Sequence, residues 1–226
     1  MSVSGSLPAP TETAAGPILA AIAVATMLLG GADVATGGAA GEALALRPGA
    51  GLAGLLARPW AAVAAHLVHV GPDHLVLNLA ALGLVWFAFG PALAGRAGRA
   101  FVLSAAAATA GVLAFDGSLE SYRGLSGVLH GLAAAGATAL GRRGGAEGRL
   151  GAVALAALAL KVASELAGGT SWWGEALPLA LGEPVPVAHS AGLAGGLVAG
   201  SLPVDGDEFH GARRVSTLPG GLHRHR

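Results

Sequence analysis

Four residues in three separate apolar stretches carry the groups that acyl transfer needs. Ser126 stands in YRGLSGVLHGLAAAG (122–136), His189 in AHSAGLAGG (188–196), and His74 and Asn78 in HVGPDHLVLN (69–78). A serine hydroxyl becomes a nucleophile when a base takes its proton and donors stabilise the resulting oxyanion. His189 suits the base, because an imidazole titrates near neutral pH. His74, Asn78 and the Ser126 backbone N–H are candidate oxyanion donors, and His74 and Asn78, four residues apart, share one face of a helix. A lone serine in an apolar helix ordinarily bonds the carbonyl one turn back. The reading therefore rests on all four residues together.

The elements that must hold these groups follow from composition. The chain has 226 residues, 54% hydrophobic and 12% charged, against about 25% charged in a soluble domain. Lipid is the expected solvent. Formal net charge is zero, which gives no electrostatic basis for binding nucleic acid. The absence of cysteine removes disulfides, thiolate metal sites and a cysteine nucleophile. A spanning helix needs about 20 mostly apolar residues, and six such stretches are read, at 17–36, 74–94, 98–115, 124–140, 150–167 and 186–203. The first lacks a basic leading region and is read as a retained helix, not a cleaved signal. Residues 1–16 and 204–226 are polar cytoplasmic tails around a membrane domain at 17–203. The apolar stretch 37–73 is an outer connection lying in the membrane interface.

Arginines orient the spans. Arg96, Arg99, Arg142, Arg143, Arg149, Arg213, Arg214, Arg224 and Arg226 fall on one side, and Arg47, Arg58 and Arg123 on the other. The positive-inside rule puts both termini in the cytoplasm. Spans two, four and six then run outside to inside, so His74, Asn78, Ser126 and His189 share a depth near the outer face. Polar groups in a bilayer turn toward one another or toward a water-filled cavity, and one shared site is expected. Small residues at four-residue spacing let helix backbones approach closely. Gly192, Gly196 and Gly200 form such a stripe on span six, and Gly127 and Gly131 on span four, with Gly124 preceding the serine.

These residues resemble a family. GLSG (124–127) resembles the Gly-x-Ser-Gly of rhomboid intramembrane serine proteases, AHSAGLAGG their Ala-His-x-x-Gly-x-x-x-Gly, and HVGPDHLVLN their His-x4-His-x3-Asn. The three occur in the family's order, over about residues 58–203. The longer wording HLVHVGPDHLVLNLAALGLVWF, GLSGVLHGL and KVASEL is similar to one bacterial branch, the rhombosortases. The resemblance implies an all-α, six-helix membrane bundle and a Ser–His dyad with no acidic third member. Ser126 would be the nucleophile, His189 the general base, and His74, Asn78 and the Ser126 amide the oxyanion donors. It further implies a Gram-negative inner membrane and a site open to the periplasm. The implied partners are membrane-anchored proteins whose C-terminal sorting tail carries a glycine pair, one membrane helix and a basic end, with transfer of the cut end to an acceptor as an extension. No cofactor is implied. The sequence departs from the family at RPW (58–60), where many rhomboids have a Trp-Arg pair, so no role is carried over to that loop.

Other residues are candidates for accessory roles. His130, one turn after Ser126, is read as packing, with tuning of the site or bonding of water as the alternative. Lys161 and Glu165 share a face of span five and are read as an internal ion pair, with contact to a substrate tail as the alternative. His66 and His69 lie near the outer interface, where no carboxylate or cysteine completes a metal site. His210, His223 and His225 fall in the tail. Rival chemistries lack their patterns: there is no His-Glu-x-x-His, Asp33, Asp73 and Asp116 fall at span ends, and glycine directly follows Ser126 where a soluble hydrolase elbow has another residue. The rival from another class is an inactive rhomboid relative that binds or escorts membrane clients. A small-solute transporter would predict internal repeats and midplane charge pairs.

Overall fold

A computed structural model describes residues 15–168 and 184–204; the chain's two ends, with His210, His223, His225 and the tail arginines, lie outside them. The described residues are helical: α1 (Ala15–Ala35), α2 (Ala39–Leu44), a 3-10 turn (Pro48–Ala50), α3 (Gly51–Ala57), α4 (Ala61–Ala64), α5 (Pro72–Phe89), α6 (Ala97–Phe115), α7 (Ser126–Arg143), α8 (Gly145–Leu166) and α9 (Pro186–Ser201). Local signals set several boundaries. Pro72 and Pro186 sit at the first turns of α5 and α9, where the missing N–H loses no bond. α5 stops at Phe89, short of the expected 94, because Pro91 cannot continue it. Gly144 and Gly145, at φ 70° and 59°, turn α7 directly into α8, which starts five residues before the expected 150.

The six long helices cover the six stretches read as spans. By length and apolar composition α1, α5 and α6 are able to cross a membrane, which marks an all-α membrane protein. The other three differ for identifiable reasons. α7 is rich in glycine and alanine, α8 carries Glu147, Arg149, Lys161 and Glu165, and α9 has 16 residues. Large apolar side chains face outward around the bundle, among them Leu28, Val76, Leu84, Phe87, Val102, Phe115, Val153 and Leu160.

α7 is the central helix, packed against α5, α6, α8 and α9 and buried along nearly its whole length from Gly127 to Leu140. Its tightest partner is α9. A Cβ on Gly192 would run into the Gly127 carbonyl, one on Gly196 into the Gly131 carbonyl, and one on Gly200 would lie 2.7 Å from the Ala135 carbonyl. Three contacts spaced four residues apart match on both helices, so α7 and α9 run parallel with their backbones in direct contact. α6 runs antiparallel to both. Its Ser104 meets Gly131, its Ala108 meets Gly127, and its Gly111 faces Ala191. α8 is also antiparallel to α7, with Gly151 against Ala137 and Gly148 against Gly141. The N-termini of α7 and α9 and the C-terminus of α8 consequently share one end of the bundle.

The connection between α1 and α5 folds into α2, the 3-10 turn, α3 and α4. It leaves Leu52, Leu56, Trp60 and Val63 exposed, an apolar surface of the kind an interfacial segment presents. Arg58 of the divergent RPW stretch donates to the Ala43 and Glu42 carbonyls and lies 5.9 Å over the Trp60 ring, binding the connection to itself.

The glycine contacts make a testable claim. Gly196→Leu should destabilise the bundle by on the order of 3 kcal/mol, because the obstructing group is backbone and cannot move aside. Gly83→Ala, which meets no atom within 4 Å, should stay within about 1 kcal/mol. Thermal unfolding in micelles measures both, and equal midpoints would remove the α7–α9 contact.

Candidate active site

The parallel pairing of α7 and α9 decides where Ser126 and His189 meet. Ser126 is the first residue of α7 and His189 lies in the first turn of α9. The Ser126 hydroxyl donates to His189 Nε2 at 2.9 Å. Gly127 allows this approach, since a Cβ there would lie 2.9 Å from the Ala188 carbonyl. His189 is buried while Ser126 is half-buried, so the hydroxyl remains the reachable member of the pair.

The other ring nitrogen of His189 is also engaged. Nδ1–H donates to Glu165 Oε2 at 2.7 Å, and Glu165 Oε1 lies 2.5 Å from Lys161 Nζ. The expected Lys161–Glu165 pair is present, but it extends across to α9. The resemblance implies a dyad without an acid, whereas in the structure a carboxylate meets the far nitrogen of the histidine. The physical reason is the antiparallel course of α8, which brings its C-terminal turn to the end where α7 and α9 begin.

His130 lies face to face with His189, ring centroids 4.3 Å apart and planes 19° off parallel. Its Nδ1–H donates to the Ser126 carbonyl at 2.7 Å, one turn back, which fixes its plane. Read from sequence as packing, His130 packs specifically on the candidate base. His130, Glu165 and His189 offer ligand atoms within 4.8 Å of one another. However, the parallel rings do not converge on one point, and the His189 and Glu165 atoms are already bonded to each other. The arrangement is a hydrogen-bonded line in which a metal would have to break existing contacts.

α5 forms the opposite wall. The His74 ring lies over Gly124, where a Cβ would come within 2.7 Å of Cε1, and its Nδ1 is buried with no partner among the described residues. Asn78 is buried, and its amide donates to the His74 carbonyl at 2.9 Å. The structure thus brings His74 to the segment leading into α7 and turns Asn78 back along α5. The His69 ring meets His74 edge-on at 5.0 Å. Both nitrogens of His69 lack partners among the described residues, and burial, with His74 beside it, pushes its imidazole down to about 3.

Sequence reasoning missed what holds the segment before Ser126. Gly124 has φ 137°, a conformation open to glycine, and its N–H donates to the Ala65 carbonyl at 2.9 Å. Tyr122, fully buried, pairs with Leu46 in an isolated antiparallel bridge, and its hydroxyl lies 3.2 Å from the Gly124 carbonyl and 3.3 Å from His66 Nδ1. His66 Nε2–H donates to the Ala105 carbonyl at 3.1 Å, with Thr109 Oγ1 equally near. His66 is therefore an anchor between α6 and the outer connection. Its only sequence signal was an unexplained histidine in an apolar run.

No protein-family model matches this chain, and no curated protein matches it in sequence. The chemical reading therefore stands on the geometry. A hydroxyl, an imidazole and a carboxylate lie in line, and the hydroxyl sits at a helix N-terminus, where unpaired N–H groups and the helix dipole favour an anion.

Desolvation pushes the His66 imidazole down from 6.5 to about 4, so the folded chain resists a proton that the unfolded chain accepts. The stability this lends at neutral pH is expected to fall as pH drops from 6.5 through 4. His66→Gln should unfold with a shallower dependence across that window, read from melting midpoints at successive pH values. An unchanged slope would contradict a neutral, buried His66.

Proposed function

We propose that this chain is a rhomboid-type intramembrane serine endopeptidase acting near the periplasmic face of a bacterial inner membrane. The observation that carries the reading is the 2.9 Å hydrogen bond from Ser126 to His189 across two helices in backbone contact. As the peptide carbonyl arrives, the Ser126 proton passes to His189 Nε2 and Oγ bonds to the carbonyl carbon. The oxyanion is stabilised by the Ser126 N–H at the start of α7 and by His74, which Asn78 holds through its backbone carbonyl. The C–N bond then breaks, and the Nε2 proton goes to the leaving nitrogen. Water, or an acceptor amine, attacks the acyl ester with His189 again taking the proton; the acyl–Oγ bond then breaks and Nε2 returns the proton to the Ser126 oxygen.

Six spans with cytoplasmic termini fit this reading. Arg99 and Arg142 bond carbonyls at the C-terminal end of α9, from Ala199 to Pro203, at the end of the bundle opposite the serine. A basic end away from the site agrees with a cytoplasmic face there and a periplasmic face at Ser126. The half-buried hydroxyl beside buried partners supports entry from that outer face.

For substrates, the similarity of the wording around Ser126 and in KVASEL to rhombosortases favours exported proteins with a C-terminal Gly-Gly sorting tail. Co-expression with such a protein, followed by mass measurement of its C-terminus, tests this directly. Wild type should release a shortened product. Ser126→Ala should lose cleavage by a factor on the order of 10⁶, together with labelling by a fluorophosphonate probe. Wild-type cleavage by Ser126→Ala would end the peptidase reading, whereas an unshortened tail beside active probe labelling would remove only the substrate class.

A further inference from the structure

The line of contacts does not end at the histidine. Glu165 is in the last turn of α8, its side chain 3% exposed, and it uses both oxygens: Oε2 accepts from His189 on α9, and Oε1 pairs with Lys161 one turn earlier on its own helix. An acid near a helix end can ordinarily reach the interface and stay hydrated, yet this one is turned inward against a buried ring. An ion pair serving only to neutralise Lys161 needs no second helix. A charge removed from water is costly unless its remaining hydrogen-bonding capacity is met, and here the buried carboxylate's second oxygen is met by the candidate base.

The bond also fixes which nitrogen carries the proton. A carboxylate accepts and does not donate, so Nδ1 holds the hydrogen and Nε2 presents its lone pair to the Ser126 hydroxyl. That is the tautomer a general base requires. Among the described residues, groups facing His189 from the other elements do not supply this. His130 on α7 meets the ring by its face, His74 on α5 lies over Gly124, and α6 brings only Arg99, at the opposite end of the bundle.

We propose that Glu165 is a positioning residue that completes a Ser126–His189–Glu165 triad within the membrane domain, and that Lys161 is the counter-charge holding Glu165 as a carboxylate. Glu165 acts through His189. It stays ionised throughout, accepts the Nδ1 hydrogen, and stabilises the imidazolium formed when Nε2 takes the serine proton. The proposal rests on the reading of Ser126 and His189 as nucleophile and base.

The test is the rate of fluorophosphonate labelling of the full chain in micelles, measured against pH. Glu165→Gln should label about 10²- to 10⁴-fold more slowly than wild type. The acidic limb of its profile should move toward lower pH by about 1 to 3 units, because the imidazolium has lost an adjacent opposite charge. Glu165→Asp, which keeps the charge, should recover part of the rate. Lys161→Met should slow labelling at least about tenfold, with Lys161→Arg restoring it. Labelling of Glu165→Gln at the wild-type rate with an unmoved profile, while Ser126→Ala is unlabelled, would overturn the triad and leave a simple dyad. Wild-type labelling of Ser126→Ala would instead remove the reading beneath it. Should the Gln variant fail to assemble, Glu165→Met removes the same contact: a wild-type rate and profile there overturn the proposal, and a reduced rate at an unchanged melting midpoint supports it. Full activity in Lys161→Met would overturn the part assigned to Lys161.

Discussion

The structure depends on two helices touching through their backbones. Between α7 and α9 there is no layer of side chains: the carbonyls of Gly127 and Gly131 lie where the Cβ atoms of Gly192 and Gly196 would be. In lipid, helices gain nothing from hiding apolar surface from one another, so close packing and weak Cα–H···O contacts carry the association. Because the two helices run parallel, their first turns lie side by side, and a short side chain such as serine can reach a histidine across the gap. An ordinary spacing of 8–10 Å between helix axes would put that reach out of range.

The surrounding elements then restrict the pair in every direction. His130 covers the imidazole from its face, Glu165 holds its far nitrogen, and the hydroxyl holds the near one. Two sites separated in sequence fix the serine's approach. Gly124 turns the chain into α7, and the Tyr122–His66 contact ties that turn to α6 and to the outer connection. Hydrogen bonds of this kind are stronger in a low-dielectric interior, and any left unmade there are more costly. The serine sits at the positive end of α7, while Glu165 sits at the negative end of α8. This is a poor place for an anion and accounts for the cation one turn away.

Much of this was legible in the sequence, for a definable reason. Apolar runs report where the long helices lie, and their alternating course brings Ser126, His74 and His189 to one end of the bundle. The glycine stripes reported which helices approach. The link from Glu165 to His189 was not legible, because spacing within one helix shows which residues share a face but not which neighbour that face meets. Lys161 four residues earlier already explained the acid locally, and the local explanation concealed the one between helices. Tyr122 and His66 were hidden for a related reason: they act through an isolated bridge and a loop, where no periodicity marks a partner. Asn78 was placed on the correct face, but its amide is satisfied by its own helix. The helix ends erred where single residues overrule composition, at Pro91 and at the Gly144–Gly145 turn.

Backbone contact between α7 and α9 has a mechanical consequence. Transmembrane helices answer a thicker or thinner bilayer by tilting and sliding, and side-chain interfaces absorb such movement by changing rotamers. Glycine against carbonyl has no rotamers to change. If α7 and α9 cross the bilayer as the proposed fold has them, an imposed tilt must turn the two as one rigid body, and strain from hydrophobic mismatch passes to the other helices. The separation of hydroxyl and imidazole is thereby insulated from membrane thickness.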